Sequence, residues 1–111
     1  MRKGIYPGTF DPITFGHIDL IKKSLNIFDQ IIVAISDGNS KNYLFTAEER
    51  QELIQLALFK DLKLSKKKIK VYIFNSLTTD FCKKMRSNVI IRGLRATSDF
   101  EYEFQLAGMN K

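Results

Sequence analysis

The feature that most constrains the fold is a single apolar run, Gln30-Ile31-Ile32-Val33-Ala34-Ile35. It is rich in β-branched side chains, and no polar residue interrupts it after Gln30. A strand without polar alternation is typical of one that is buried on both faces, as in a parallel sheet covered by helices. The run therefore predicts a central strand of a parallel sheet.

Three further strands are predicted from short apolar runs that end at turn signals. They span residues 3–6, 69–74 and 88–92. The stretches between successive strands are long enough for crossover connections, so the strands are expected to pair in parallel with right-handed crossovers.

Helices are predicted in the connecting stretches and after the last strand. Apolar residues recur at three- and four-residue steps from Gly16 to about Phe28, which is the pattern of an amphipathic helix. Thr46-Ala47-Glu48-Glu49 has the form of a capping box and predicts a helix to about Phe59. Two more helices are expected, over 79–86 and from Ser98 or Asp99 onward. The order β-α-β-α-β-α-β-α predicts a Rossmann-like, doubly wound α/β fold with four parallel strands.

Length and composition are those of one globular domain. The chain has 111 residues, of which 44% are hydrophobic and 27% charged, which argues against disorder, collagen-like repeats and a disulfide scaffold. Cys82 is expected to be a small buried residue, and one His with one Cys argue against a zinc site. The start is not signal-like, and no apolar run reaches about 18 residues. The protein is therefore predicted to be cytoplasmic, with no membrane contact.

The net charge of +6 is concentrated in one segment. Residues 60–70 hold six lysines against one aspartate, or +5, which leaves +1 for the other 100 residues. We interpret this cluster as a solvated turn and expect no nucleic-acid partner, because no aromatic side chains on which bases could stack are interleaved with the lysines. A polyanion-binding patch is the alternative, and its affinity would fall steeply with salt.

Polar and cationic residues follow several of the predicted strands. In an open parallel sheet the ligand binds at the carboxyl ends of the strands, where the strand order reverses. The residues expected to converge on that edge are Thr9, His17, Lys41, Arg92 and Arg95. Their charge and hydrogen-bonding capacity predict a site for an anionic ligand.

The most specific motif is Thr14-Phe15-Gly16-His17, at the start of the first predicted helix. Gly16 lets a ligand approach the backbone, the helix N-terminus presents unpaired amides, and His17 can hydrogen-bond phosphate. An ordinary surface or packing histidine is the alternative. No Gly-x-Gly-x-x-Gly or Gly-Lys-Ser/Thr motif is present, so the usual dinucleotide and P-loop interpretations fail.

A second motif, Arg92-Gly93-Leu94-Arg95, ends the fourth predicted strand. Planar guanidinium groups are suited to paired contacts with phosphate oxygens, so two of them beside a glycine could bind a polyphosphate. Structural salt bridges are the alternative. Their partners would be Asp99, Glu101 and Glu103.

Four motifs in a fixed order carry a family resemblance. They are YPGTFDPIT-x-GH at 6–17, FT-x-EER at 45–50, IRGLRA-x-x-DFEYE at 91–103 and QLA-x-MN at 105–110. With these motifs the chain resembles, essentially end to end, the phosphopantetheine adenylyltransferases of the nucleotidyltransferase superfamily. Family members continue beyond the last motif, so the resemblance implies a single domain over 1–111 that is C-terminally incomplete and lacks the family's fifth strand.

The resemblance implies an activity and a set of partners. The adenylyl group of ATP would pass to 4′-phosphopantetheine by direct in-line attack and give dephospho-coenzyme A and pyrophosphate. Mg²⁺ would accompany ATP, and the family forms homohexamers. Two alternatives stay open: a truncated, non-catalytic protein that binds nucleotide or coenzyme A, and a related nucleotidyltransferase with another acceptor, such as nicotinate mononucleotide. Lys41, Arg92 and the motif that contains Tyr102 favour phosphopantetheine.

The resemblance also implies residue roles. His17 would be catalytic and would stabilise the pentavalent α-phosphorus. The residues that would bind phosphopantetheine are Thr9, Lys41, Thr78 and Arg92. Those that would bind ATP are Thr9, Phe10 through its amide, His17, Gly93, Leu94, Arg95 and Glu103. No residue is assigned as a metal ligand.

Overall fold

The computed structural model describes residues 2–37, 43–75, 81, 83–85 and 89–93, and the backbone of 102–106. Its strands are β1 (Lys3–Gly8), β2 (Gln30–Ser36), β3 (Ile69–Phe74), β4 (Val89–Gly93) and β5 (Tyr102–Leu106). They form one sheet in the order β3-β2-β1-β4-β5, in which the first four strands are parallel. The predicted Rossmann-like fold with four parallel strands is confirmed.

The predicted doubly buried strand lies inside the sheet as β2. Each residue from Ile31 to Ile35 is at most 2% exposed. Because side chains alternate between faces, Ile31, Val33 and Ile35 pack in the larger hydrophobic cluster with the helices, while Ile32 and Ala34 pack in a second cluster on the other face. This strand thereby joins the two halves of the core.

The first helix, α1 (Phe15–Ser24), is shorter than predicted. It ends four residues before Phe28, and the Arg2 carbonyl then accepts the N–H groups of Asp29 and Gln30, at 2.8 and 3.1 Å, as the chain enters β2. Phe28 is buried against β1 rather than along the helix. The apolar spacing that predicted a longer helix thus comes from a residue that packs beyond its end.

The second helix, α2 (Ala47–Gln55), continues as one π-helical segment over Leu56–Asp61. The predicted capping box is present: the Thr46 hydroxyl accepts from the Glu49 amide at 3.1 Å, and the Thr46 amide donates to the Glu49 carboxylate at 2.9 Å. The six lysines of 60–70 are all exposed, as expected for a solvated turn.

The last part of the chain differs from the prediction. Where a helix was expected from Ser98 or Asp99 onward, the structure has β5, antiparallel to β4 from Val89 opposite Leu106 to Gly93 opposite Tyr102. The prediction of a final helix is therefore wrong for 102–106, and the sheet has five strands rather than four. The physical reason is that this segment alternates apolar and polar residues, the period of a strand, and pairs with the open edge of β4.

The segment between β3 and β4 is described only in part. Phe81, Lys83 and Lys84 are helical, and the Met85 amide donates to the Phe81 carbonyl at 2.9 Å, in agreement with a short helix there. Cys82 and the rest of 79–86 lie outside the described residues. Within the part of the chain that the structure describes, no helix combines the length and apolar character needed to cross a membrane.

Gly4 in β1 provides a test of the core packing. A Cβ there would lie 2.7 Å from Ile91 Cδ1 and 3.0 Å from the Phe28 ring. Since both neighbours are buried, we expect Gly4→Ala to lower the free energy of unfolding by about 1–3 kcal/mol, measured by urea denaturation. Gly16→Ala is the matched control, because its Cβ would meet only the Thr14 hydroxyl, at 3.7 Å. Equal urea midpoints for the two variants would contradict this packing.

Tyr6 predicts how stability changes with alkaline pH. It is 8% exposed, and burial raises its pKa from 10.0 to about 12. Because the folded-state pKa is the higher one, this contribution to stability is complete below pH 10.0 and is lost as the pH rises towards 12. Tyr6→Phe should therefore lose less stability over that interval than the parent chain, by up to about 3 kcal/mol, in urea titrations at both pH values. Parallel losses in the two proteins would refute the burial effect.

Candidate active site at the carboxyl ends of the strands

The sheet reverses its strand order beside β1. From β1 the chain proceeds through β2 and β3 on one side and places β4 on the other. The carboxyl ends of β1 and β4 therefore flank the crevice in which open α/β sheets bind ligands. Thr9 and Phe10 directly follow β1, and β4 ends with Arg92 and Gly93. Four of the predicted site residues thus lie at this switch point.

His17 is held by a capping box at the start of α1. Its ring Nδ1 accepts from the Thr14 backbone N–H at 2.9 Å and lies 3.0 Å from the Thr14 hydroxyl. The Thr14 hydroxyl in turn accepts from the His17 backbone N–H at 3.3 Å. Because a backbone amide can only donate, Nδ1 is an acceptor, and the neutral ring carries its hydrogen on Nε2. This arrangement was not predicted from the sequence, although Thr-x-x-His has the spacing of a capping box.

Aromatic rings fix the same histidine from the core side. The Phe10 ring lies 4.9 Å from the His17 ring, centroid to centroid, and the Tyr6 ring 6.2 Å from it. Phe10 is 2% exposed and has a φ of 50°, a left-handed conformation that is unusual for a bulky residue. In this conformation the Phe10 ring is buried and packs against the His17 ring. The loop after β1 and the helix α1 therefore form one packed unit.

Gly16 leaves the first turn of α1 open. A Cβ at this position would meet only the Thr14 hydroxyl, so the packing of the described residues does not require a glycine here. The first turn also contains no acidic residue that would compete for its amides. The positive end of the helix dipole, the amides of the first turn and the His17 ring are together suited to an anion such as phosphate.

Arg50 is a site-forming residue whose position the sequence analysis did not anticipate. Although charged, it is fully buried in α2. Its Nη1 donates to the carbonyl of Thr9 at 2.8 Å and to that of Ser36 at 3.0 Å. Its Nε donates to the carbonyls of Phe45 and Thr46 at 3.1 and 3.3 Å. One side chain therefore joins the loop after β1, the end of β2 and the entry to α2.

Asp11 strengthens the same junction. Its carboxylate accepts from the Leu44 amide at 2.6 Å and from the Phe45 amide at 2.9 Å. The β1 loop and the segment before α2 are thus joined twice, by the Asp11 carboxylate and by the Arg50 guanidinium. Arg50 was visible in the sequence only as part of the FT-x-EER motif.

The structure describes only some of the remaining predicted residues. Arg92 is exposed at the end of β4, two residues beyond the pair formed by Ile5 and Ile90, and it lies opposite Glu103 in the β4–β5 register. Glu103 is described only by its backbone. The residues that lie outside the described part of the chain are Lys41, Thr78, Leu94 and Arg95.

A well-formed cavity among the described residues lies elsewhere. It has a volume of about 540 Å³ and lies along β3, with Phe59, Lys66 and Tyr72 in its lining. It contains neither His17 nor a residue that follows β1 or β4, so we assign the site from the switch point and the histidine geometry instead. The described residues also contain no group of three or more His, Cys, Asp or Glu that could hold a metal ion.

Comparison with known proteins identifies the family of the chain. A cytidylyltransferase-like family model matches residues 5–111. The phosphopantetheine adenylyltransferase of Pelagibacter ubique (strain HTCC1062) is 69% identical over 112 residues, which cover 100% of this chain and 68% of that protein. The enzyme of the same name from Zymomonas mobilis subsp. mobilis is 46% identical over 107 residues, which cover 96% of this chain and 60% of that protein. The chain thus spans about two-thirds of the length of these curated relatives.

A solved structure of an adenylyltransferase has a similar fold. Plasmodium falciparum nicotinic acid mononucleotide adenylyltransferase, in complex with NaAD, matches 77% of this chain and 45% of its own. The TM-score is 0.61 and the sequence identity 29%. The resemblance noted in the sequence is confirmed by these matches together with the geometry at the switch point: this chain belongs to the phosphopantetheine adenylyltransferase family, within the cytidylyltransferase-like nucleotidyltransferases.

Proposed function

We propose that this chain transfers the adenylyl group of ATP to 4′-phosphopantetheine, giving dephospho-coenzyme A and pyrophosphate. The observation that carries the proposal is the His17 ring, fixed by Thr14 as the Nε2–H tautomer at the N-terminus of α1. This hydrogen-bond donor lies beside the open first turn at the switch point. A triphosphate bound there could accept hydrogen bonds from the backbone amides and from the imidazole. The names of the relatives support the choice of acceptor.

The chemistry demands little of the protein beyond alignment and charge stabilisation. A phosphate oxygen of 4′-phosphopantetheine is already a nucleophile; it forms a bond to the α-phosphorus of ATP as the bond to the pyrophosphate oxygen breaks. No proton needs to be removed and no covalent enzyme intermediate is required. His17 would donate from Nε2 to an oxygen of the α-phosphorus, where negative charge builds up in the transition state, and the first-turn amides of α1 would add to this stabilisation.

The substrate contacts follow from the family motifs. Thr9 would contact both substrates, and the Phe10 amide would contact ATP. The other proposed ATP contacts are Gly93, Leu94, Arg95 and Glu103. The other proposed phosphopantetheine contacts are Lys41, Thr78 and Arg92. The position of Arg92 at the end of β4, beside the β1 loop, supports its share of this assignment.

Mg²⁺ would enter with ATP. In nucleotide sites this ion characteristically keeps several waters and binds through substrate phosphates, with one or two carboxylates at most. We assign no residue of the chain to it. Bound there, it would neutralise charge on the phosphates, while His17 and the α1 amides hold the α-phosphate.

The same resemblance extends the proposal to the setting of the enzyme. We propose that residues 1–111 belong to one nucleotidyltransferase domain, that the whole protein acts in the cytoplasm, and that it assembles as a homohexamer. The oligomeric state is open to direct measurement by light scattering.

A product assay with a histidine variant tests the proposed reaction. With ATP, Mg²⁺ and 4′-phosphopantetheine, the parent chain should release pyrophosphate, and His17→Ala should lower the rate at least about 100-fold, because a preorganised donor to the transition state is lost. ATP affinity should change only a few-fold. Asn26→Ala, in the exposed turn after α1, is the control and should keep full activity.

Three results would point away from this reaction. Full turnover by His17→Ala would remove the histidine from the mechanism. ATP binding by the parent without any product would identify the non-catalytic alternative. Product with nicotinate mononucleotide but not with 4′-phosphopantetheine would identify the related transferase.

Gly16 separates ligand binding from folding. Gly16→Ala should leave the free energy of unfolding unchanged or raise it by up to about 1 kcal/mol, because alanine is the better helix former and its Cβ has room. The same methyl group would stand where the phosphates approach the first turn, so the Kd for ATP should rise at least about tenfold, which costs about 1.4 kcal/mol of binding energy. Calorimetric titration and thermal unfolding measure the two effects. An unchanged Kd would place the phosphates elsewhere.

A further inference from the structure

We propose that Arg50 is a positioning residue: by holding the Thr9 carbonyl, it directs the Phe10 backbone N–H towards the nucleotide phosphates. This inference rests on the proposed function, because it assumes that a nucleotide occupies the switch point. It concerns a residue that lies in α2, outside the loop that it would organise.

The charge of Arg50 lies in an unusual environment. The side chain has no exposed surface, and burial of a charge is costly unless it is well paired. The nearest carboxylate among the described residues is that of Asp37, 3.7 Å from Nη2 and itself partly exposed. The hydrogen bonds from Nε and Nη1 go to backbone carbonyls, and the Tyr43 ring lies 4.2 Å from Cζ. Nη2 has no hydrogen-bond partner among the described residues. A buried cation that donates hydrogen bonds to backbone carbonyls fixes the orientation of the peptides that carry them. An apolar side chain could not do this.

The peptide between Thr9 and Phe10 is held in one orientation. The cis bond in the described chain is Asp11–Pro12, so this peptide is trans. In a trans peptide the C=O and N–H bonds point in opposite directions. Because Nη1 of Arg50 holds the Thr9 oxygen at 2.8 Å, the Phe10 N–H points away from the guanidinium. This N–H has no acceptor among the described residues.

The backbone at Phe10 is strained. Its φ of 50° lies in the left-handed region, which residues with a Cβ avoid. A flip of the preceding peptide would bring φ to a negative, preferred value without moving the ring, which packs against Tyr6 and His17. The flip would also turn the Thr9 carbonyl away from Arg50 and the Phe10 N–H towards it. The hydrogen bond from Arg50 opposes that relaxation.

The peptide orientation that Arg50 fixes has a specific consequence for ligand binding. An unpaired backbone N–H is rare in folded proteins, and one that directly follows β1 at the switch point is a donor held ready for phosphate. With Arg50 in place, the Phe10 N–H and the His17 ring belong to one packed unit on the same side of β1. Without it, a carbonyl oxygen would face the phosphates and repel them.

The test uses NMR of the ¹⁵N-labelled chain titrated with Mg²⁺-ATP. In the parent, the amide resonances of Phe10, Gly16 and His17 should all shift. In Arg50→Lys, which keeps the charge but cannot reach all four carbonyls, the Phe10 shift should be lost while the Gly16 shift remains. The Kd for ATP should rise about tenfold, the effect of one hydrogen bond to a charged group, and the Kd for 4′-phosphopantetheine should change less than about twofold.

A neighbouring residue of α2 provides the matched control. Gln51 donates from its side chain to the Val71 carbonyl of β3 at 3.0 Å, so Gln51→Ala also breaks a contact between α2 and the sheet. If Arg50 acted only by holding α2 in place, both variants would change ATP binding alike. We expect Gln51→Ala to keep the Phe10 shift and the parent Kd.

The parent chain alone keeps the inference falsifiable if Arg50→Lys does not fold. Shifts at Gly16 and His17 without one at Phe10 would overturn the role of Arg50 and leave the proposed function standing. A Phe10 shift that persists in folded Arg50→Lys would overturn it as well. No response at any of these three amides would reject nucleotide binding at the switch point, and with it both proposals.

Discussion

The parallel pairing of β1 with β2 is the constraint on which the other features depend. The two strands are in register over their whole shared length, from Lys3 opposite Gln30 to Gly8 opposite Ile35. Their carboxyl ends are therefore level, and the loops that follow them leave the sheet side by side. That proximity lets one arginine from α2 reach the carbonyls of both Thr9 and Ser36.

Two kinds of interaction converge on the histidine at this edge. Hydrogen bonds from Thr14 fix the tautomer of His17, and the aromatic contact with Phe10 fixes the ring against the core. The site is thus an extension of the hydrophobic core rather than a loop placed on top of it. Such support holds a donor close to its working geometry before a ligand arrives, which is the basis of electrostatic preorganisation.

The sequence predicted the elements whose signals are local. The doubly buried strand, the strand at 69–74 and the Thr46 capping box all correspond to short patterns in the residues themselves. The end of α1 was placed too late because Phe28 matches the helical spacing but packs against Gly4 from outside the helix. A helix was predicted for 102–106, but these residues alternate apolar and polar types, and pairing with the preceding strand β4 makes them a strand.

For the site, the sequence identified the residue types but not the connections between them. Thr9, Phe10 and His17 were predicted from motifs, and the structure brings them together. The role of Arg50 depends on carbonyls from three separate segments, and no spacing rule reports such a convergence.

The side chain of Gln51 has a consequence for how this protein behaves in a crowded solution. Strand β3 is the outermost strand on its side of the sheet, and Gln51 covers the Val71 carbonyl on it. Lys70 and Tyr72, on either side, are exposed. An open strand invites pairing with another chain, and natural sheets blunt that tendency by covering or charging the edge. Here an amide cap and a lysine do both, so this border is a poor template for edge-to-edge aggregation.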